Sequence, residues 1–527
     1  MKGIEHETIR QQFQRMDGER TYRIRSSEMY AYYTIPSIFP RDDNDDNSQG
    51  VGMLDSHGSA VANHFANKLV STMFSPNRPF FRLSPASDSK TATEIEDAQD
   101  NDADPDGQAQ ATALLNGFRT KATRMEKKAV AYLEKISYRT AAVEMAKLIV
   151  ITGDGVIKNP NDGRTPSVYN MKDYVCLKDN EGQDMILIVV DAKAFGAFSH
   201  DIQEKLRAST NKTTYLPTTN VSIYTKYELQ MDGRYAITQA TDEVDLLHDE
   251  EVLVTKEDMP HTHLSWNLHR NENYGRGLVE DFAGSFHMID AVSRTMAQLT
   301  ARIASQKILV DPQSGIDVEE LNRADSASYV SGRADGISTE SLVNTQDILA
   351  LDQIMEGHKR QISAAFLYGS GTTRQAERVT AEEIRESAAE LEIAHGGVYS
   401  RFSSDWQQKA ANESVKAVSG GPISKDIDTQ IVTGMNSLSR QGEMQAVRVW
   451  VEDLSLLNAV PEDVRAILKP EKFADYTAIQ RGVDHGAFVM TDGEIKQKRE
   501  AEAQQQQQMM AQEQAGRQEE AMMKGAM

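Results

Sequence analysis

A chain of 527 residues with 39% hydrophobic content exceeds what one compact core usually serves, so two or more packed units are expected. Its formal charge of −22, from 57 basic and 79 acidic residues, repels a polyanion from most of the surface; this excludes a protein that coats nucleic acid but leaves room for a small, locally basic lining. The single cysteine, Cys176, excludes an internal disulfide framework, no window supplies the roughly 18 apolar residues of a membrane span, and the charged start MKGIEHETIRQQFQRMDGER does not read as a signal peptide.

Residues 5–33 read as helix on the imperfect stripe Ile9, Phe13, Met16, Tyr22 and Ile24. The stretch from Tyr33 to Pro40 (YTIPSIFP) ends it, because Pro36 and Pro40 each disfavour helix for themselves and their predecessors. After an acidic run at 42–46, a second helix is predicted over 56–74, with Val61, Phe65, Leu69 and Met73 at steps of four. Residues 86–110 are polar and acidic and read as an exposed or disordered insert. Within it, Asp102, Asp104, Asp106 and Gly107 match the first half of a calcium loop, but the twelfth position is Ala113 and Pro105 interrupts; a solvated acidic loop is the better reading.

A long helix over 112–151 closes at Gly153-Asp154-Gly155. From there to about residue 268 the pattern becomes strand-like: Val156-Ile157, Val168-Tyr169, Met185 to Val190, Val221 to Tyr224 and Val252 to Val254. Turn signals such as Asn161-Asp162-Gly163 and Met231-Asp232-Gly233-Arg234 separate them. Such spacing predicts antiparallel sheets, interrupted by one short helix near 200–208. His261 and His263 share one side of a strand, with His269 nearby, but no cysteine or tight carboxylate set completes a metal site, so ordinary histidines are the plainer reading.

An amphipathic helix over 279–306 carries Phe286, Ile289, Val292, Met296, Leu299 and Ile303 on one face and is on the order of 40 Å long. A second, over 345–367, repeats the pattern with Ile348, Leu351, Ile354, Met355, Ile362 and Phe366. Between them, residues 307–344 hold strand-like Ile308 to Val310 and Tyr329-Val330 among turn residues. Two long helices therefore bracket a small β-containing piece. A helix from Thr380 to about 418 follows, then a helical region over 441–481 and a Gln- and Met-rich tail without an apolar stripe.

The stretch GSGTTRQAERVTAEEIR, Gly369 to Arg385, carries the candidate chemistry. Thr380 to Glu383 forms a capping box, the Thr380 hydroxyl accepting from the Glu383 amide and the Glu383 carboxylate accepting from the Thr380 amide. Upstream, Gly369 and Gly371 free the backbone, while Arg374 and Arg378 put positive charge ahead of a helix N-terminus, which favours an anion. For either arginine alone, pairing with Glu377, Glu382 or a neighbouring subunit's acids is the simpler account. No GxxxxGK(S/T), GxSxG or HExxH occurs, so nothing indicates an enzyme, a metal or a cofactor.

Tyr33 to Pro40, Tyr274-Gly275-Arg276, Glu377 to Arg385, Glu390-Leu391-Glu392, Gly396 to Ser400 (GGVYS) and Thr433-Gly434 occur in an order and spacing that resembles the head-to-tail connector, or portal, family of T7-like short-tailed bacteriophages. The resemblance implies an α+β, mainly helical portal fold. Its parts would be a wing (1–278), a first stem helix (279–306), a small α/β clip (307–344), a second stem helix (345–367), a tunnel loop (368–379), a long wing helix and return (380–434), a helical crown (435–490) and a tail (491–527).

It further implies a non-enzymatic homo-oligomeric ring, usually a dodecamer, at one capsid vertex of the virion, assembled in the host bacterial cytoplasm. Double-stranded DNA would pass through its channel, driven by a separate terminase motor. Scaffold and major capsid proteins and a tail adaptor would be its other partners. Arg374, Arg378, Thr372 and Thr373 would then meet phosphates without reading sequence, with Lys359 and Arg360 as further channel-wall candidates. Two other classes stay open on the residues alone: a tail-adaptor or other structural virion protein without DNA contact, which end-on images of a ring would exclude, and a phage nuclease, which metal-dependent cleavage would support.

Overall fold

A computed structural model describes residues 7–41, 53–75, 79–86, 105–159, 163–209, 215–242, 244–246, 252–304, 307–325, 329, 333–340, 345–369, 390–391, 393–395, 397–421, 427–432, 448, 450–452 and 477. The chain divides into two compact units, Met1–Gly434 and Met435–Met527. In the second, Arg448 and Glu452 pair across one helical turn at 3.7 Å. Among the described residues, no helix is long and apolar enough to cross a membrane.

The first unit begins with α1 (Ile9–Glu19) and α2 (Thr21–Tyr33), which the sequence reads as one helix. They part at Arg20, whose guanidinium turns inward, 3% exposed, to donate to Asp17 at 2.7 Å and to the Tyr174 carbonyl. The helix α3 (His57–Met73) buries the expected row of Val61, Phe65, Leu69 and Met73 almost completely. The expected helix over 112–151 is likewise two, α4 (Pro105–Lys135) and α5 (Tyr138–Thr152), broken where Ser137 adopts a left-handed φ of 55°. Helix α4 starts inside the acidic stretch expected to be an insert. Helix α5 is buried nearly all round and, with α3, forms the centre of the main core.

Among the described residues every strand pairing is antiparallel, as the turn spacing predicts. After β1 (Phe81–Pro85) come β2 (Asp154–Lys158), β3 (Ser167–Tyr169), β4 (Tyr174–Lys178) and β5 (Asp184–Ala194), then α6 (His200–Ser209). The chain continues through β6 (Asn220–Leu229), β7 (Tyr235–Thr241), β8 (Val252–Val254) and β9 (His261–Ser265). Strands β4 to β8 form a meander in sequence order, while β9 returns to pair with β2 in the order β3-β2-β9.

Short α7 (Leu278–Asp281) and long α8 (Ala283–Ala304) follow, then β10 (Lys307–Val310), α9 (Val318–Arg323), β11 (Ile337–Glu340) and α10 (Thr345–Ala365). The partner of β10 is β11; of the other strand-like pair, Tyr329 is fully exposed in irregular chain and Val330 lies outside the described residues. The helix expected up to 418 is interrupted at Gly397, φ 88°, and resumes as α11 (Val398–Phe402), a π-helical turn Ser403–Gln407, and α12 (Gln408–Ser419). The extra residue of the π turn aims Trp406 and Gln407 at the core: Trp406 donates to the Tyr138 hydroxyl at 3.0 Å and Gln407 to the Met73 carbonyl at 2.5 Å. Last, β12 (Ile427–Ile431) pairs with distant β1.

One junction explains the Tyr274-Gly275-Arg276 motif. Gly153, φ 92°, ends α5, and a Cβ on Gly275 would lie 2.5 Å from the Gly153 carbonyl oxygen. The loop entering α7 can thus lie directly on the end of α5 only without a side chain there. Gly275→Ala is expected to cost about 1–3 kcal/mol through overpacking, read as a lower midpoint in chemical denaturation.

Candidate functional site

The two long helices α8 and α10 pack antiparallel, since Ser285 meets His358 and Gln361 at 3.3 and 3.4 Å while Ser293 meets Met355 at 3.5 Å. Their contact is apolar at the base: Phe286, Ile289, Ile362 and Phe366 are fully buried. Phe366 sits edge-on to Phe65, Phe282 and Phe286, with ring centroids 5.8 to 6.1 Å apart, and Tyr33 stacks on Phe286 at 6.3 Å. Off this contact, Met288, Leu349 and Ile354 are 40%, 58% and 46% exposed.

Helix α10 ends in a tight turn. Leu367 takes a left-handed φ of 53°, the Tyr368 amide donates back to the Ser363 carbonyl at 2.8 Å, and Gly369 follows with φ 90°. This six-to-one bond closes a Schellman cap, with Leu367 at the position glycine usually fills. Its buried side chain, 7% exposed, offsets the conformational cost. The turn redirects the chain into the Gly369 to Arg385 stretch. Of the residues singled out from sequence, Gly371, Thr372, Thr373, Arg374, Arg378, Thr380 and Glu383 lie outside the described residues.

Lys359 and Arg360 differ in placement. Lys359 lies inward, its ammonium 2.8 Å from Asp55 and 3.6 Å from Glu356; burial alone would lower its pKa, but the Asp55 carboxylate outweighs this and raises it. Arg360 is exposed, its Nε donating to the Glu356 carbonyl at 3.2 Å.

Around the turn stand residues not singled out in the sequence. The Tyr368 ring is edge-on to His57 and His64, with centroids 5.9 and 5.3 Å away. His57 Nε2 lies 3.1 Å from Ser363 Oγ and 3.2 Å from the Lys359 carbonyl. Where the described chain resumes, Glu390 pairs with Lys68, whose side chain is 7% exposed. Their one signal in the sequence is polar residues at helical spacing in an apolar helix, and nothing local names their partners.

A second ionic cluster holds the sheets to the base of the helix pair. His263 lies between two carboxylates, its Nε2 on Asp154 and its Nδ1 2.9 Å from Asp184. Asp154 also accepts from Tyr174 Oη at 2.6 Å, Ser265 Oγ at 2.7 Å and the Gly275 amide at 2.6 Å, and Lys178 donates to Ser265 Oγ at 2.7 Å. Burial alone would push the His263 pKa down; Asp154 and Asp184 overcome it and carry it up to about 9. Asp154 is held well below the usual carboxylate range, its burial outweighed by His263 and Lys178.

His261 is spent differently, with Nδ1 2.6 Å from the Tyr227 hydroxyl. Cys176 is a buried thiol donating to the Asn273 carbonyl at 3.0 Å. Among the described residues no group of three or more His, Cys, Asp or Glu is arranged to hold a metal ion.

Comparison with known proteins adds a family. Residues 6–489 match the model of the bacteriophage head to tail connecting protein. The portal protein of Enterobacteria phage SP6 is 26% identical over 511 residues, covering 97% of this chain and 95% of that protein. That of Escherichia phage T7 is 25% identical, covering 93% and 94% respectively, and that of Pseudomonas phage phiKMV is 27% identical, covering 89% and 88%. With the match running through the sheets, both long helices and the segment after α10, the chain belongs to the bacteriophage head-to-tail connecting protein family.

Proposed function

We propose that the chain is the subunit of a phage portal, a ring at one capsid vertex through which double-stranded DNA is packaged and ejected. The observation that carries this reading is the family match over residues 6–489, joined to nearly end-to-end similarity with proteins named as portals. Supporting it, the antiparallel α8 and α10 suit a stem bracketing a clip at 307–344, with the wing before 279 and over 380–434 and the crown over 435–490. The apolar side chains of Met288, Leu349 and Ile354 on the stem would be covered by neighbouring subunits in a closed ring, for which a dodecamer is the expected count.

In this reading Gly369 to Val379 forms the tunnel loop, hinged at Gly369 and Gly371 and stopped by the Thr380–Glu383 cap. Arg374 and Arg378, helped by Thr372 and Thr373, touch phosphates, while the acidic balance of the rest lets DNA slide. The ring would meet terminase, scaffold and major capsid proteins and a tail adaptor, within the virion. End-on class averages of the purified full-length protein test the core of the proposal: closed rings with a central channel are expected, and monomers or open chains would overturn it.

The inward pairing of Lys359 separates the two stem candidates. Lys359→Ala is expected to lower stability by about 1 kcal/mol with DNA retention unchanged, whereas Arg360→Ala is expected to leave the unfolding midpoint in place and weaken retention in high salt. Denaturation of the variant and genome content of variant capsids after a salt challenge check the pair.

A further inference from the structure

Helix α3 carries, beside its buried apolar face, a polar row that receives other parts of the chain. His57, His64 and Lys68 recur at i, i+7 and i+11, a spacing that sets them on one side of a helix with 3.6 residues per turn. At the His57 and His64 end the row receives the chain as it leaves α10: Tyr368 lies against both imidazoles, His57 also meets Ser363, and His64 bonds to the Leu367 backbone. At the Lys68 end it receives the chain where the described residues resume, through the ion pair with Glu390.

The two attachments are close together and of a costly kind. His64 and Lys68 are one turn apart, about 6 Å along the axis, so residues 369 and 390 both start from a narrow base on the same helix. An ammonium as buried as that of Lys68 needs its counter-charge, unlike an exposed pair that can be lost at little cost. Fixing both ends of a segment also lowers the number of positions its middle can reach.

We propose that this row of α3 is a two-point anchor for the segment between Gly369 and Glu390: His57, His64 and Lys68 act as positioning residues, through Tyr368 and Glu390, for Arg374 and Arg378. The geometry stands alone; its consequence for DNA rests on the portal reading above.

Cys176 is the single cysteine and is 2% exposed, so a nitroxide placed at Gln375→Cys reports on this segment. The experiment records electron paramagnetic resonance spectra of full-length assembled protein carrying that label, and in parallel the genome content of capsids built with it. Lys68→Glu and Glu390→Lys are each expected to narrow the lines and to lower retained DNA several-fold, and their combination to restore both. Tyr368→Ala, which adds no charge, is expected to narrow the lines by releasing the other foot, and keeps the test available if a charge reversal fails to assemble.

Unchanged spectra in Tyr368→Ala and in whichever reversals assemble, with only the unfolding midpoint lowered, would overturn the anchor and leave the row a packing feature. Narrowed lines with wild-type DNA retention would uphold the anchor while overturning the DNA-contact reading of the loop.

Discussion

Asp154→Asn is expected to destabilise the protein by about 3–5 kcal/mol, the range for breaking a buried pair by removing one partner. The substitution keeps the side chain's size but removes the carboxylate that accepts from His263, Tyr174, Ser265 and the Gly275 amide. The His263 ring would then be left with Asp184 as its one carboxylate while Lys178 stays nearby. Because Gly275 begins the loop into α7, the damage should reach the base of α8 as well as the sheets. Urea denaturation of wild type and variant reads the difference directly.

The same network sets a pH signature. His263 has its pKa raised from 6.5 to about 9, so the stability it contributes is fully present below 6.5 and is lost as pH rises through about 9. Asp154 and Asp184 are depressed, each through His263 and Lys178 against the effect of burial, so their contribution is present above the ordinary carboxylate range and is lost on acidification. Wild-type stability should therefore decline on the alkaline side between these limits. In Asp154→Asn that decline should be much shallower, since the smaller the raising of the His263 pKa, the less there is to lose.

Capsids carrying Arg374→Ala together with Arg378→Ala are expected to package DNA and then fail to hold it. Counterion release makes each phosphate contact worth about fivefold in affinity near physiological salt, and a ring repeats the loss in every subunit. Arg374→Lys should recover much of the effect, because a phosphate contact that reads no sequence asks for charge more than for a planar fork. Genome length and content per capsid, measured before and after a salt challenge, check this. Full-length DNA held at wild-type efficiency by Arg374→Ala would remove the basis for the loop's role.

Elements whose signal is periodic and local are legible in the amino-acid sequence. Val61, Phe65, Leu69 and Met73 announce α3, the paired stripes announce α8 and α10, and Met231 to Arg234 marks the turn between β6 and β7. Interruptions are less so. Arg20, Ser137 and the π turn at Ser403–Gln407 break helices whose apolar rows continue, and at two of the three the break meets a partner elsewhere: the Tyr174 carbonyl for Arg20, and Tyr138 with Met73 for the π turn.

By itself, the sequence determined the kinds of element, their order, the antiparallel habit of the sheets and, through scattered short motifs, the family. Only the tertiary structure decided that β12 closes on β1, that His263 lies between Asp154 and Asp184, and that Lys68 holds Glu390. Periodicity reports on the face a residue shows to its own neighbours along the chain. A buried charge is defined by a counter-charge that can sit hundreds of residues away, and its position appears only once the chain has folded.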